Sequence, residues 1–470
     1  MIADPERPYI AVIFFVKDAS VKNSAISYYD IGDYLKREEK LNRLSNFLDL
    51  NEIPFETIIP NAKGDWINQR EDGFEKLIPL KRDKTLQNPS VFDINSMGVT
   101  TGHDPWVYNF SPNALMQSVQ KCIDTYNADL KRFNAHFREA FKQRAKGVKK
   151  ADLYKHLNDR EITTDKTKIA WTRALKQEFI KNKNLQESRK DRVRLALYRP
   201  FNKQWLYFDK NLNERQSQLP KIFPDKDAQN VVINTSVGNG KNFSALVSDA
   251  IPDTHLIGDA NASYPLYYYD DLGNRHYAIS GYALNLFRKH YKDNAIAEEE
   301  IFYYIYAILH HKGYLEKYKN SLTKEYPRIA LSEDFKELSI LGKELAKLHL
   351  NYESGEMHTS VEYQTLMNAE EKGYYDVETM TKKGDRIHYN NHIAITKIPK
   401  KAFEYVVNGK SAIDWVIERY KKTRDKDSLI ENNPNDYKDG KYVFELLCRV
   451  IKLSEKSVDL IEKISEKRFE

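Results

Sequence analysis

The stretch LALYRPFNKQWLYFDKNLNERQSQLP (residues 195–220) interleaves Arg199, Lys203, Lys210 and Arg215 with Tyr198, Phe201, Trp205, Tyr207 and Phe208. Ammonium and guanidinium groups meet phosphate oxygens. Arg can pair with a guanine edge, and Asn or Gln with an adenine edge. Between residues 199 and 242 the side chains suited to that chemistry are Arg199, Lys203, Gln204, Lys210, Arg215, Gln216, Gln218, Lys221, Asn239, Lys241 and Asn242. The same residues also have a structural reading. Trp205, Tyr207 and Phe208 fit a sheet face or core, and Arg199, next to Pro200, fits an internal ion pair with Asp249 or Asp253. For Arg199 the phosphate and structural readings stand side by side.

Other chemistries find little support. No G-x-x-x-x-G-K-[ST] loop occurs. GNGKNF (238–243) has the glycines and lysine of a phosphate cradle, but no helix pattern follows to supply the amide-lined N-terminus. His310 and His311 are adjacent, so they point to different faces of a helix and read as satisfied or solvated. Glu298, Glu299 and Glu300 sit at an expected helix start, where the macrodipole favours carboxylates. Cys122 and Cys448 are the two cysteines, which excludes a disulfide framework or cysteine zinc cluster and fits a reducing, cytoplasmic setting.

Charge points to an anionic partner. The chain carries +6 overall. Residues 121–220 hold 25 Lys and Arg against 12 Asp and Glu, a net +13, which leaves −7 for the remainder. A lysine-rich solvated helix face is the plainer explanation of the same numbers. With 41% hydrophobic residues over 470 positions, the chain can build two or three cores. No apolar run approaches a membrane span, and no signal-peptide pattern opens the sequence.

The elements that would position these residues follow from periodicity. YIAVIFFVKD (9–18) is apolar on both faces at 10–16, as in a covered strand, and SAISYYDI (24–31) reads as its hairpin partner. DYLKREEKLNRLSNFLDL reads as a helix. Leu115, Val119, Ile123, Tyr126, Leu130, Phe133, Phe137 and Phe141 predict a long amphipathic helix, with Gly147 as a stop. Residues 195–275 look β-rich, with strands at 205–208, 231–234, 243–247 and 266–269 between Pro and Gly. Helical pattern then resumes in EEEIFYYIYAILHHKGYLEKYKNSL, with a break near Gly313, and in EDFKELSILGKELAKLHLNYES. HIAITKIP predicts one late strand, SAIDWVIERYKK a capped helix, and 442–464 a final helix.

Six phrases occur in order: RPYIAVIFFVKD…ISYYDIGDYLKREEKL, NAKGDWINQR, GVTTGHDPWVYNF, LALYRPFNKQWLYFDK, FSALVSDAIPDTHL and YPRIALSEDFKELSILGKELAKLHLNYE. Together they resemble the C-terminal part of Type ISP restriction–modification enzymes and related adenine-specific DNA methyltransferases. The resemblance spans roughly residues 10–451. It implies a target-recognition region following the last strands of a methyltransferase sheet that lies upstream, in a polypeptide that also carries nuclease and ATP-driven motor parts. The family phrase near GVTTGHDPW reads Thr-Asn-Arg-Asp, whereas this chain has Gly102 and His103. His103 therefore joins the candidate DNA contacts as a pH-dependent donor. An adenine methyltransferase needs an Asn-Pro-Pro-Tyr-type pocket for the flipped base. The nearest strings, NPSV at Asn88 and NPND at Asn433, lack the aromatic and read as turns.

The resulting expectation is a mixed α/β (α+β) chain. Residues 1–31 would be terminal strands of a methyltransferase-like sheet, 32–194 a mainly helical spacer, 195–275 a β-rich recognition core and 276–470 a mainly helical C-terminal part. The expected role is recognition of double-stranded DNA, delivering an adenine for N6 methylation, with no catalytic residue, metal or cofactor in this chain. S-adenosylmethionine would bind the upstream domain. The expected partners are duplex DNA and the upstream domains or a partner subunit, with no membrane. The alternative is the C-terminal half of a split methyltransferase, active with a partner chain. A scaffold whose basic helix binds an acidic protein is a third reading.

Overall fold

A computed structural model describes residues 12–470 apart from 18–19, 21–23, 33–34, 36, 68, 83–88, 239–242 and 365–371. Two units divide it, residues 1–71 and 72–470. In the first, strand Ile26–Tyr28 pairs antiparallel with Glu56–Ile58, Ile26 opposite Ile58. Of the partner strand expected at 10–16, the described residues 12–16 form none. Residues 10–11 lie outside the described set, and 12–17 carry no strand and are exposed. A run apolar on both faces holds as a strand when it is paired and covered on both sides, which the described residues of this unit do not provide. The expected helix is present as Arg37–Ser45, with Leu41 and Leu44 exposed.

The second unit contains three four-stranded sheets. The first runs in the order Ile251–Pro252, Val193–Arg199, Asn202–Tyr207, Tyr108–Asn109, with Ile251–Pro252 parallel to its neighbour. Leu115, Val119, Ile123, Tyr126, Leu130 and Phe133 form the buried face of helix Pro112–His136 and share a core with this sheet. Ser111 starts the helix by accepting from the Ala114 amide. The expected single helix breaks at Phe137 and resumes as Arg138–Arg144. The second sheet runs Ser96–Met97, Asn261–Pro265, Val232–Ser236, Ala245–Ser248, all antiparallel.

Over the second sheet lies helix Glu298–Ile308, buried at every position from Ile301 to Ile308. It crosses helix Phe335–Leu350 so closely that a Cβ on Gly342 would stand 2.0 Å from the Tyr303 carbonyl oxygen. The break expected near Gly313 comes at residues 309–311, ahead of helix Lys312–Lys317. The third sheet runs Val361–Tyr363, Ile393–Ile395, Arg386–His388, Thr381–Lys383. It shares a core with helices Ala412–Arg419 and Tyr442–Ser465. Residues 276–470 therefore hold more strand than the single HIAITKIP element expected. The missed strands are two or three residues long and most carry charge, as in TKK, so alternation has no length over which to show.

Segment 96–110 ties the first two sheets together. Ser96–Met97 belongs to the second sheet and Tyr108–Asn109 to the first. Between them, Val99 donates to the Pro252 carbonyl and accepts from the Thr254 amide, both at 2.9 Å. Thr100 and Arg215 exchange two backbone hydrogen bonds of 2.9 Å. Gly98 is required here, because a Cβ would lie 2.3 Å from the Asp253 oxygen.

Candidate nucleic-acid interface

The hairpin Val193–Arg199/Asn202–Tyr207 faces inward. Its corner residue Phe201 is buried with φ of 59°, an outlier for a bulky residue. Tyr420 donates to the Phe201 carbonyl at 3.1 Å. Lys203 is 5% exposed, and its ammonium lies 3.0 Å from Asp249 and 2.9 Å from Glu353. Burial lowers the Lys203 pKa, but those two carboxylates more than offset this and hold it above the ordinary value. Gln204 is buried between Asn202 and Asn432, donating to the first and accepting from the second at 3.0 Å.

Arg199 sits in the internal ion pair that the sequence offered as one of its two readings. Its guanidinium is 2.8 Å from Asp253 and stacks over Tyr198 at 3.9 Å. Tyr108 and the His255 amide donate to the same Asp253 carboxylate at 3.1 and 2.8 Å. Burial raises Asp253 to about 6 against the pull of Arg199. Tyr198 in turn donates to Asp104 at 2.9 Å. GVTTGHDPW, LYRPF and SDAIPDTH thus converge on one buried polar network. Asp104 and Asp253 hold it together, although the sequence marked Asp253 as no more than a partner option in a Pro-centred turn.

The remaining candidates are displayed on one loop. Asp209 and Asn213 build its frame: Asn211 donates its amide to Asp209, Asp209 donates its amide to Asn213, and the buried Asn213 amide group donates to the Tyr207 carbonyl. From that frame Lys210, Arg215, Gln218 and Lys221 reach solvent. Gln216 is half-buried and donates to Asn213 at 3.3 Å. Lys221 lies 3.4 Å from the exposed Asp271. Asn239, Lys241 and Asn242 lie outside the described residues.

His103 is buried beneath this loop. Its ring nitrogens face the Ala170 and Leu212 carbonyl oxygens at 3.1 and 2.8 Å. Burial lowers its pKa, opposed by those two acceptors and by Asp104 and Glu214. His103 therefore braces the loop from behind and does not reach outward. Asn433 caps a short turn by accepting from Asn435, with Pro434 buried, so NPND is the turn its sequence suggested. Asn88 lies outside the described residues.

The sequence profile of the Type ISP C-terminal specificity domain matches residues 90–446. The chain belongs to this family. Its fold also matches solved structures, among them these three. One is a nuclease-deletion mutant of the Type ISP restriction-modification enzyme LlaGI in complex with a DNA substrate mimic, with TM-score 0.82 and 33% identity over 96% of this chain and 34% of that one. The ATP-dependent Type ISP enzyme LlaBIII bound to DNA gives 0.80 and 34% identity over 95% and 28%. A DrdV–DNA complex gives 0.78 and 29% identity over 94% and 43%. This Type ISP specificity chain thus spans roughly a third of the length of its solved relatives. No curated protein matches it.

Proposed function

We propose that this chain recognises double-stranded DNA and presents a target adenine for N6 methylation by a methyltransferase domain outside residues 1–470. The observation that carries the proposal is the loop at 209–221. It places Lys210, Arg215 and Gln218 in solvent, with Lys221 beside Asp271, on a frame pinned to the first central sheet through the Tyr207 carbonyl and to the second through Ser96. Readers of base edges need that combination of rigid backbone and free polar tips. Family membership and the DNA-bound state of the three structural relatives support it. Residues 195–275 would then be the reading core, 32–194 the spacer and 276–470 the supporting part, with residues 1–31 belonging to a methyltransferase sheet completed elsewhere. The apolar, exposed residues 12–16 are what such a strand looks like without its neighbours. S-adenosylmethionine would bind that other domain, and so would the flipped adenine, since the NPND turn, with Pro434 buried, offers no base pocket.

Selection of tight-binding sequences from a pool of randomised duplexes tests this reading. The unmodified chain enriches one asymmetric sequence. Arg215→Ala with Gln218→Ala relaxes preference at individual positions, costing ~1–3 kcal/mol of discrimination each. Lys210→Ala with Lys221→Ala weakens all sequences alike. A pool that shows no enrichment over input refutes the proposal.

A further inference from the structure

Ion pairs made within residues 121–220 tie up several of that segment's cations without lowering its net +13. Arg132 pairs with Asp129, Arg144 with Glu161, Arg173 with Glu214, Lys181 and Lys183 with Glu178, and Arg189 with Asp191. A shorter basic run lies outside that segment. Lys421, Lys422, Arg424 and Lys426 are all exposed, and no ion pair within 4.0 Å is found for any of them among the described residues. They lie on and beside an antiparallel hairpin, Thr423–Arg424 paired with Glu431–Asn432.

This hairpin is a rigid ribbon. At its base Asn109 donates to the Glu431 carbonyl at 2.9 Å, and the Asn432 side chain accepts from the Phe110 amide and donates to Gln204. Its turn is held by Asp425, whose carboxylate accepts from the amides of Asp427 and Ser428 and from the Ser428 hydroxyl. Asp427 is tied to Lys166 at 2.9 Å. Leu429 sits in the left-handed region, φ 60°, with its side chain 48% exposed. Strain of that kind in a branched residue, combined with exposure, is a cost the surrounding structure imposes. Leu429 itself lines a cleft of about 410 Å³, together with Trp106, Lys121 and Thr167. Burial lowers the Lys410 pKa, and Arg419 and Lys421 lower it further against Asp414, while Glu418 pairs with both Lys410 and Arg419. Asp425 is engaged in the turn, Asp427 with Lys166, and Glu431 stands opposite Arg424, whose Nε donates to the Leu429 carbonyl at 3.3 Å; Lys421, Lys422 and Lys426 are left as exposed cations that attract an external anion.

We infer that the Thr423–Asn432 ribbon is a second DNA contact, separate from the 209–221 loop. Lys421, Lys422, Arg424 and Lys426 meet the sugar–phosphate backbone, and Leu429 enters a groove. The inference rests on the DNA-recognition reading above and adds to it a part of the footprint that positions the duplex without reading sequence. β-Ribbons and apolar tips are established ways to approach DNA grooves.

The test is fluorescence anisotropy of the full chain on labelled duplexes from 50 to 200 mM salt, with the quadruple variant K421Q/K422Q/R424Q/K426Q and the charge-keeping variant K421R/K422R/K426R. Each lost phosphate contact removes about 0.9 from the slope of log affinity against log salt, so four remove roughly 3–4. The glutamine variant should lose that slope equally on selected and random duplexes, and the arginine variant should keep it. If the unmodified chain binds and the glutamine variant keeps its slope, the ribbon is not a contact and the recognition reading stands. If the unmodified chain does not bind any duplex, both fall together. All substituted positions are exposed, and circular dichroism confirms that the variants fold.

Discussion

Replacing Arg199 with methionine separates an internal strut from a phosphate contact. The Arg199 side chain is 12% exposed and faces an Asp253 carboxylate that is 2% exposed. Burial would lower the Arg199 pKa, but Asp253, Tyr198, Asp104 and Tyr108 together hold it raised, so the guanidinium stays charged. Asp253 is held at about 6 by burial even with Arg199 beside it. Removing one partner of a buried pair costs ~3–5 kcal/mol, because the other charge is left uncompensated. The sign of the pH dependence follows from Asp253. Its folded pKa lies above the ordinary value of 3.8, so the folded state keeps a proton that the unfolded state releases. The stability from that proton is full below 3.8 and is lost as pH rises through about 6. Without Arg199 the folded pKa climbs further, and the window of loss moves upward. The deficit of R199M relative to the unmodified chain should therefore be largest at pH 8 and shrink towards pH 5. Urea unfolding at pH 5, 6.5 and 8 measures it, and R199M/D253N should recover most of the loss at pH 8. A deficit below about 1 kcal/mol, or one that is flat with pH, refutes the strut. A drop of about 0.9 in the salt slope of DNA binding would instead assign Arg199 to a phosphate.

Gly342→Ala should cost about 3 kcal/mol in urea unfolding, because its Cβ would meet the Tyr303 carbonyl oxygen at 2.0 Å; Gly355→Ala, whose Cβ would meet the Asn351 carbonyl oxygen at an ordinary 3.6 Å, should stay within about 0.5 kcal/mol. Acid sensitivity should arise at His310 and His349, which burial holds at about 4 and well below 6.5 respectively. Their folded pKa values are depressed, so the stability they contribute is full above 6.5 and is lost as pH falls, down to about 4 for His310. Tyr306 accepts from the Val247 amide and so donates to His349 Nδ1, leaving Nε2 to donate to Ser457. A proton on Nδ1 would set two donors face to face. His349→Gln should flatten the loss of stability between pH 6.5 and 4.5, and an unchanged slope would remove His349 from the account.

Much of the fold was legible because long elements announce their period. The helices at 112–136, 298–308, 335–350, 412–419 and 442–465 all follow apolar spacing or a cap in the sequence. Four expected strands between 195 and 275 overlap observed ones, whereas Asn261–Pro265 was missed because NASYP carries too few apolar residues to signal a strand although all five are buried. The candidate residues were legible as types but not as roles. Lys203 and Gln204 read like surface readers because their neutralising partners, Glu353 and Asn432, stand 150 and 228 positions away.

The sequence by itself determined the family, through six ordered phrases, and the chemistry available, through its cations and amides. Tertiary structure decided which of those cations are spent. An ammonium buried between two carboxylates and an ammonium free in solvent are the same letter in a sequence. Only long-range pairing, such as Thr100 with Arg215 or Asn432 with Phe110, determines which side chains face inward and which are left for a duplex.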